Sequence, residues 1–218
     1  ARTIFTEFLG LACRVETYGG DVWRLSDTQG TRALLISDSF ISGAHEKWLE
    51  KSSLPMYPLS LWNVETDLPG AVLSSPEVPV IAGERGMEGT WFSNRDAHDA
   101  YLGLDVLGSA FFMLTRYEEL VTQERDRHKR FPCAASLAGS GGFADRPIVN
   151  EYTEILWTAM KRLWPGLERK VRTFRVFLTH DVDVPYEYAL RSPLKIIRQA
   201  GGDILKRRSL SLAVRNLR

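Results

Sequence analysis

The stretch that most constrains this chain is an apolar run that ends in two carboxylates, residues 174–184, with the sequence FRVFLTHDVDV. Phe174 to Thr179 is rich in aromatic and β-branched residues, which predicts a buried strand. Alternate residues of a strand point to the same face, so Asp181 and Asp183 would project together from its carboxyl end. α/β sheets and barrels carry their chemistry at that end. Two interpretations stay open at this point: the pair binds a metal, shares a proton or faces open water, or it only caps a turn before the next helix.

The chain before this stretch begins with three short runs of β-type sequence. Turns that contain glycine separate them, and this spacing predicts an antiparallel meander. The runs are Leu11 to Thr17, Val22 to Ser26 and Ala33 to Ser37. A stretch with many prolines follows, in which Leu59 to Val64 and Val78 to Ala82 are predicted as further strands.

Two helices are predicted after these strands. From Asp99 the apolar residues recur at helical spacing, and between Leu102 and Leu114 they surround the helix on nearly all sides, which indicates a buried helix. A second helix starts near Pro147 and is stopped by Pro165. Strands that alternate with helices favour an α/β fold, with the buried helix against a mixed sheet. The early meander leaves an α+β fold open.

The composition excludes some classes of function. A net charge of +1 over 218 residues gives no global field for nucleic acid or a membrane. At 44% hydrophobic the chain is globular in composition, and its longest apolar stretch is too short to span a bilayer. Cys13 and Cys133 form neither a metal-like spacing nor a disulfide framework, which predicts a reducing, cytoplasmic location. The chain begins with Ala, so a trimmed N-terminus and export stay open.

The last part of the chain is basic and amphipathic. A helical segment is predicted over Leu194 to Leu205, and residues 191–218 contain one acid, Asp203, against eight basic residues. These are Arg191, Lys195, Arg198, Lys206, Arg207, Arg208, Arg215 and Arg218. A basic amphipathic helix can lie on an anionic membrane or bind polyphosphate. From the sequence we favour a solvated helix, because only one face and one tail are involved.

The segment Thr179-His180-Asp181-Val182-Asp183 resembles the first motif of the polysaccharide deacetylase family, the NodB-homology domain. In that family the first strand of a distorted (β/α) barrel ends in Thr/Ser-x-Asp-x-Asp. Three upstream segments look like the accessory domain that precedes some bacterial deacetylase domains. They run from Gly103 to Glu119, from Asp126 to Pro132 and from Arg146 to Tyr152.

The resemblance implies two domains and a hydrolytic site. Residues 1–172 would be an accessory α/β domain, and residues 173–218 the beginning of an incomplete deacetylase-type barrel. Asp181 would be the general base that deprotonates the attacking water, and Asp183 would be one ligand of a divalent metal, usually zinc. The substrate would be an acetylated cell-envelope or capsular polysaccharide. His180 would face away from both carboxylates.

The family completes its metal site with a His-x-x-x-His pair that this sequence does not contain. The four histidines are His45, His98, His128 and His180, and no two of them are three or four positions apart. A stable zinc site needs three or four protein ligands. We therefore predict that the chain is a fragment of a metal-dependent carbohydrate deacetylase and is itself metal-free and inactive.

The alternative is a non-catalytic module in which residues 1–172 bind a substrate or a partner. Aromatic faces stack on sugar rings, so exposed tryptophans would favour glycan binding, and Trp62 and Trp91 are the candidates. Core packing is the role we favour for both. A nucleotide-binding domain is not supported, because glycine-rich residues 138–142 have no strand before them and no Lys-Ser/Thr after them.

Overall fold

The computed structural model describes residues 1–27, 30–171, 173–181 and 192–206. Its internal contacts divide the chain into two compact units, Ala1–Val171 and Arg172–Arg218. The first unit has a mixed α/β fold, in which a mixed sheet is packed with helices.

The strands of the first unit form two sheets. They are β1 (Arg14–Tyr18), β2 (Val22–Ser26), β3 (Ala33–Ser37), β4 (Ser60–Asn63), β5 (Glu77–Val80), β6 (Phe92–Asn94) and β7 (Asp99–Leu102). The large sheet has the order β1-β2-β3-β7-β6, and β4 pairs with β5 in a small antiparallel sheet. In the large sheet β3 and β7 are parallel, while the other neighbours are antiparallel. The predicted meander of three strands is confirmed.

The helices alternate with these strands and continue after them. They are α1 (Ser39–Ala44), α2 (Val64–Asp67), α3 (Val106–Leu114), α4 (Tyr117–Val121), α5 (Leu137–Ser140) and α6 (Ile148–Leu163) in the first unit, and α7 (Pro193–Leu205) in the second. A π-helical segment, Thr3–Leu9, precedes β1, and 3-10 turns lie at His45–Lys47, Lys51–Ser53 and Cys133–Ala135. Within the described ranges, no helix has both the length and the apolar character that a bilayer crossing requires.

The core lies between the centre of the large sheet and helix α6. All residues of β3 are buried, and α6 packs on β3, β7 and α3. The buried apolar residues of α6 recur three or four positions apart, which places them on one stripe of the helix. They are Ile148, Tyr152, Ile155, Leu156, Ala159, Met160 and Leu163.

The structure corrects the start of the first predicted helix. Residues 99–102 form strand β7, and the helix begins only at Val106. Asp105 sets this start, because its side chain accepts a hydrogen bond from the N–H of Gly108 as an N-cap. The residues before the cap pair with β3 and β6 instead. One side of the helix is also more exposed than predicted, at Phe111 and Leu114.

The strand predicted from Phe174 to Thr179 is not formed in the part of the second unit that the structure describes. Residues 173–181 form no regular secondary structure, and Phe174 and Leu178 are 93% and 89% exposed. A strand needs a neighbour for its backbone hydrogen bonds, and the described residues of this unit contain no strand that could supply them. The predicted amphipathic helix is present as α7, with Pro193 in its first turn.

Candidate functional site

The site residues predicted from the sequence belong to the second unit. Asp181 is exposed at the end of the irregular segment 173–181, and His180 beside it is exposed too. Asp183, the predicted metal ligand, lies outside the described residues. The projection of both carboxylates from one strand end therefore stays a prediction.

The donor set that the structure describes does not fit a zinc ion. Among the described residues, no group of three or more His, Cys, Asp or Glu side chains is placed to hold a metal. Asp181 alone supplies at most one ligand, and a stable zinc site needs three or four. A metal at Asp183 would therefore need ligands beyond those described.

Two buried carboxylates lie in the first unit, at the carboxyl ends of the two parallel strands. Asp38 follows β3 and is 4% exposed, while Asp105 follows β7 and is fully buried. This is the edge of an α/β sheet where ligands commonly bind. From the sequence alone, Asp38 marks only the end of a strand and Asp105 only a polar residue within an apolar run. An Asp between a strand and a helix is the sequence signal of an N-cap, and it could have identified both.

The Asp105 carboxylate joins two turns of the chain. Its Oδ1 accepts a hydrogen bond from the N–H of Gly108 at 2.7 Å, and its Oδ2 accepts one from the N–H of Phe40 at 2.9 Å. The first bond caps α3, and the second reaches the start of α1. Gly108 is required by this close packing, because a Cβ there would overlap Oδ2 of Asp105 and lie 2.7 Å from Cβ of Phe40.

The environment of both carboxylates favours the protonated form. Burial raises the pKa of Asp105 to about 6, although the N–H groups of Phe40 and Gly108 oppose the shift. The negative charge of Asp38 contributes to this raised pKa of Asp105. Burial also raises the pKa of Asp38, and the N–H groups of Ser42 and Ile41 act in the opposite direction. Since a solute cannot reach these buried groups, we interpret them as structural.

The motif segments that carried the resemblance hold loops in place. The buried Tyr117 uses its hydroxyl to accept a hydrogen bond from the N–H of Leu49 at 2.7 Å, and the same oxygen lies 2.8 Å from Oγ of Ser53. Oε2 of Glu118 accepts a hydrogen bond from the N–H of Leu137 at 2.7 Å. In this way α4 fixes the loop that contains Leu49 and Ser53, and it also fixes the start of α5 at Leu137.

The other two motif segments act in the same way. Oδ1 of Asp126 accepts the N–H groups of His128 and Arg130 at 2.7 and 2.9 Å, which closes a tight turn. At the start of α6, Arg146 forms an ion pair with the buried Glu151 at 2.7 Å. Nη1 of Arg146 also donates to the carbonyl of Glu77 at 2.9 Å, so the pair ties α6 to β5.

Tyr152 adds a second connection between α6 and the small sheet. Its hydroxyl donates to the carbonyl of Pro79 and accepts the N–H of Ile81 at 3.2 Å. Burial raises the pKa of Tyr152, so the hydroxyl keeps its proton at neutral pH. The contacts of these motif segments are therefore those of a structural network.

The tryptophans considered for glycan stacking are core residues. Trp62 and Trp91 are both buried, and their rings lie 6.4 Å apart between centroids. Neither face is available to a sugar. Core packing, the role that we favoured for both, is confirmed.

An open cavity of about 530 Å³ lies beside the hairpin of β6 and β7. Its lining is both polar and apolar, and its polar side chains include Glu84, Arg85, Ser93, Asn94, Arg95 and Tyr101. The Tyr101 hydroxyl donates to the carbonyl of Glu84 at 3.0 Å, and burial raises the pKa of Tyr101. This lining offers hydrogen-bond donors and an aromatic ring to a polar solute.

Residues 1–165 match the model of a protein family described as a family of unknown function, DUF7033. The chain belongs to the DUF7033 family. The DUF7033 match includes all three motif segments and ends before Asp181. No curated protein and no solved structure matches the chain.

Proposed function

We propose that the DUF7033 region is the accessory domain of a metal-dependent polysaccharide deacetylase and that residues 173–218 begin its catalytic domain. The observation that carries the proposal is the segment from Thr179 to Asp183, with its Thr-x-Asp-x-Asp pattern. This segment lies after the first compact unit, which ends at Val171, and after the family match, which ends at residue 165.

The exposed apolar run before Asp181 supports this proposal. Phe174, Phe177 and Leu178 are strongly exposed, and such side chains are normally buried in a folded domain. Neighbouring strands of a (β/α) barrel would cover them and would supply the missing backbone partners. The run would then become the first barrel strand, with Asp181 and Asp183 at its carboxyl end.

The proposed reaction is the hydrolysis of acetyl groups on a cell-envelope or capsular polysaccharide. Asp181 would accept the proton of the attacking water, since a carboxylate that binds no metal can act as a general base. Asp183 would be one ligand of the metal, and a His-x-x-x-His pair would supply the further ligands. Because this chain has no such pair, we expect it to release no acetate and to retain no zinc after dialysis.

The experiment is acetate release from an acetylated oligosaccharide by the protein extended through its downstream coding sequence. Asp181→Asn is expected to lower the rate by roughly 10²- to 10⁴-fold, the usual contribution of a general base. Asp145→Asn, at an exposed position of the DUF7033 region, is the matched control and should leave the rate unchanged. An extended protein whose activity survives Asp181→Asn would contradict the proposed role.

A second candidate is a binding module without catalysis, and the open cavity beside Tyr101 favours it. The 218-residue chain would then bind an acetylated oligosaccharide at Arg85, Asn94 and Arg95. Arg95→Gln should weaken binding by roughly tenfold, the effect of losing one charged hydrogen bond. Arg127→Gln is the control. Titration calorimetry that shows no binding by the wild-type chain would exclude this candidate.

A further inference from the structure

The second unit carries a helix with an exposed apolar face. In α7, Leu194, Ile197, Ile204 and Leu205 are 80%, 65%, 46% and 81% exposed. At about 100° per residue, these four positions fall within an arc of about 100° on one side of the helix. A helix that only faces water does not explain such a stripe, because apolar side chains gain free energy when they leave water.

The same segment has an excess of positive charge. Arg198 and Lys206 are exposed, and residues 191–218 contain eight basic residues against the single acid Asp203. This excess contrasts with the net charge of +1 for the whole chain. The positive charge of the chain is therefore concentrated in the segment of sequence that contains α7.

These two features together select one kind of surface. A groove on a protein partner would bury the apolar face, but it would not call for a strong excess of one charge. A nucleic acid would bind the basic residues, but it would leave the apolar face in water. An anionic bilayer satisfies both, because acyl chains take the apolar face and acidic headgroups attract the basic side chains.

We propose that α7 lies in the surface of an anionic phospholipid bilayer and attaches the protein to it peripherally. Gly201 and Gly202 adjoin each other within the helix, and glycine weakens a helix in water. A 13-residue helix with this pair is marginal on its own, so membrane contact should raise its helicity. The inference goes beyond the deacetylase proposal and needs no catalysis, but it requires that the strands of the proposed barrel leave this face of α7 uncovered.

The test is sedimentation of the 218-residue chain with phosphatidylcholine vesicles, with and without phosphatidylglycerol. We expect binding only to the vesicles that contain phosphatidylglycerol, release at high salt, and a gain of helical circular dichroism on binding. Ile197→Ser with Ile204→Ser should abolish binding. Arg198→Gln with Lys206→Gln should weaken partitioning roughly fivefold for each charge removed.

Matched controls come from exposed positions of the first unit. Val72→Ser with Met87→Ser removes two exposed apolar side chains, and Lys47→Gln with Lys51→Gln removes two exposed charges. Both controls should bind like the wild type. Absence of binding, equal binding to both kinds of vesicle, or full binding by either α7 variant overturns the proposal. Self-association through the apolar face without vesicle binding overturns it as well.

Discussion

Asp105 accepts a hydrogen bond from the backbone N–H of Phe40, a residue 65 positions earlier in the chain. The same carboxylate caps α3 through Gly108. One buried side chain therefore connects the turn after β3 to the turn after β7, at the end of the parallel strand pair. This connection fixes α1 and α3 relative to each other.

Replacing Asp105 by Ala should destabilise the first unit by about 2–4 kcal/mol. The loss of an N-cap costs about 1 kcal/mol, and the buried N–H of Phe40 would be left without its acceptor, at about 1–3 kcal/mol. Urea unfolding measures the change. Asp145→Ala, at an exposed position, is the control and should stay within about 0.5 kcal/mol of the wild type. A loss at Asp105 no larger than in the control would show that the connection is unimportant.

The stability of the first unit should increase as the pH falls from 7 to 5. Asp105 has a pKa of about 6 in the folded chain, above its ordinary value of 3.8, so the folded state binds this proton more tightly than the unfolded state. The gain is about 1 kcal/mol between these two pH values and is complete only below the unfolded pKa. The raised pKa of Asp38 acts in the same direction.

The pH effect is isolated by comparison with Asp105→Asn, which cannot titrate. Urea midpoints at pH 5 and pH 7 for both proteins give the difference, and the contributions of groups that do not interact with Asp105 cancel. The wild type should gain more from the lower pH than the variant. Equal gains in the two proteins would argue against the raised pKa.

Gly108→Ala should destabilise the protein even though Ala is the better helix former. The new Cβ would overlap Oδ2 of Asp105 and press on Phe40, and overpacking of this kind costs about 1–3 kcal/mol. Gly43→Ala in α1 is the matched control, because nothing lies within 4 Å of its Cβ position. That change should be neutral or stabilising by up to about 1 kcal/mol. Thermal unfolding separates the two, and a stabilising Gly108→Ala would contradict the described packing.

Glu151→Ala should cost about 3 kcal/mol. It leaves the half-buried Arg146 guanidinium without its ion pair and removes the acceptor of the Ser74 N–H at 3.2 Å. Glu16→Ala removes the surface pairs with Arg14 and Arg24 and should cost less than about 1 kcal/mol. Unfolding in guanidinium chloride would measure the loss of stability in both variants. Similar losses at the two positions would refute the role assigned to Glu151.

The sequence predicted the elements whose pattern is local. The antiparallel meander up to β3 follows from alternation and turn residues, and α6 follows from its apolar period between Pro147 and Pro165. The sequence pattern predicts that residues 99–102 begin a helix, because Leu102 falls on the helical stripe that Val106 and Ala110 continue. These residues form strand β7 because they pair with β6 and with β3, about 66 residues earlier, and pairing is not encoded in local periodicity.

The candidate site was less predictable than the fold. The apolar content of Phe174 to Thr179 indicated a strand, but a strand forms only where a partner is present. The roles of Tyr117 and Glu151 depend on contacts with segments distant in sequence, so their residue types alone did not reveal them.

The downstream coding sequence tests the central claim most directly, because Asp181 and Asp183 can form a deacetylase site only with further ligands. The account predicts that the reading frame continues past Arg218, because the proposed barrel needs further strands. It also predicts a His-x-x-x-His pair within roughly the next hundred residues, because the metal site needs further ligands. A stop codon directly after Arg218, or a continuing frame without such a pair, would contradict the account and favour the binding module.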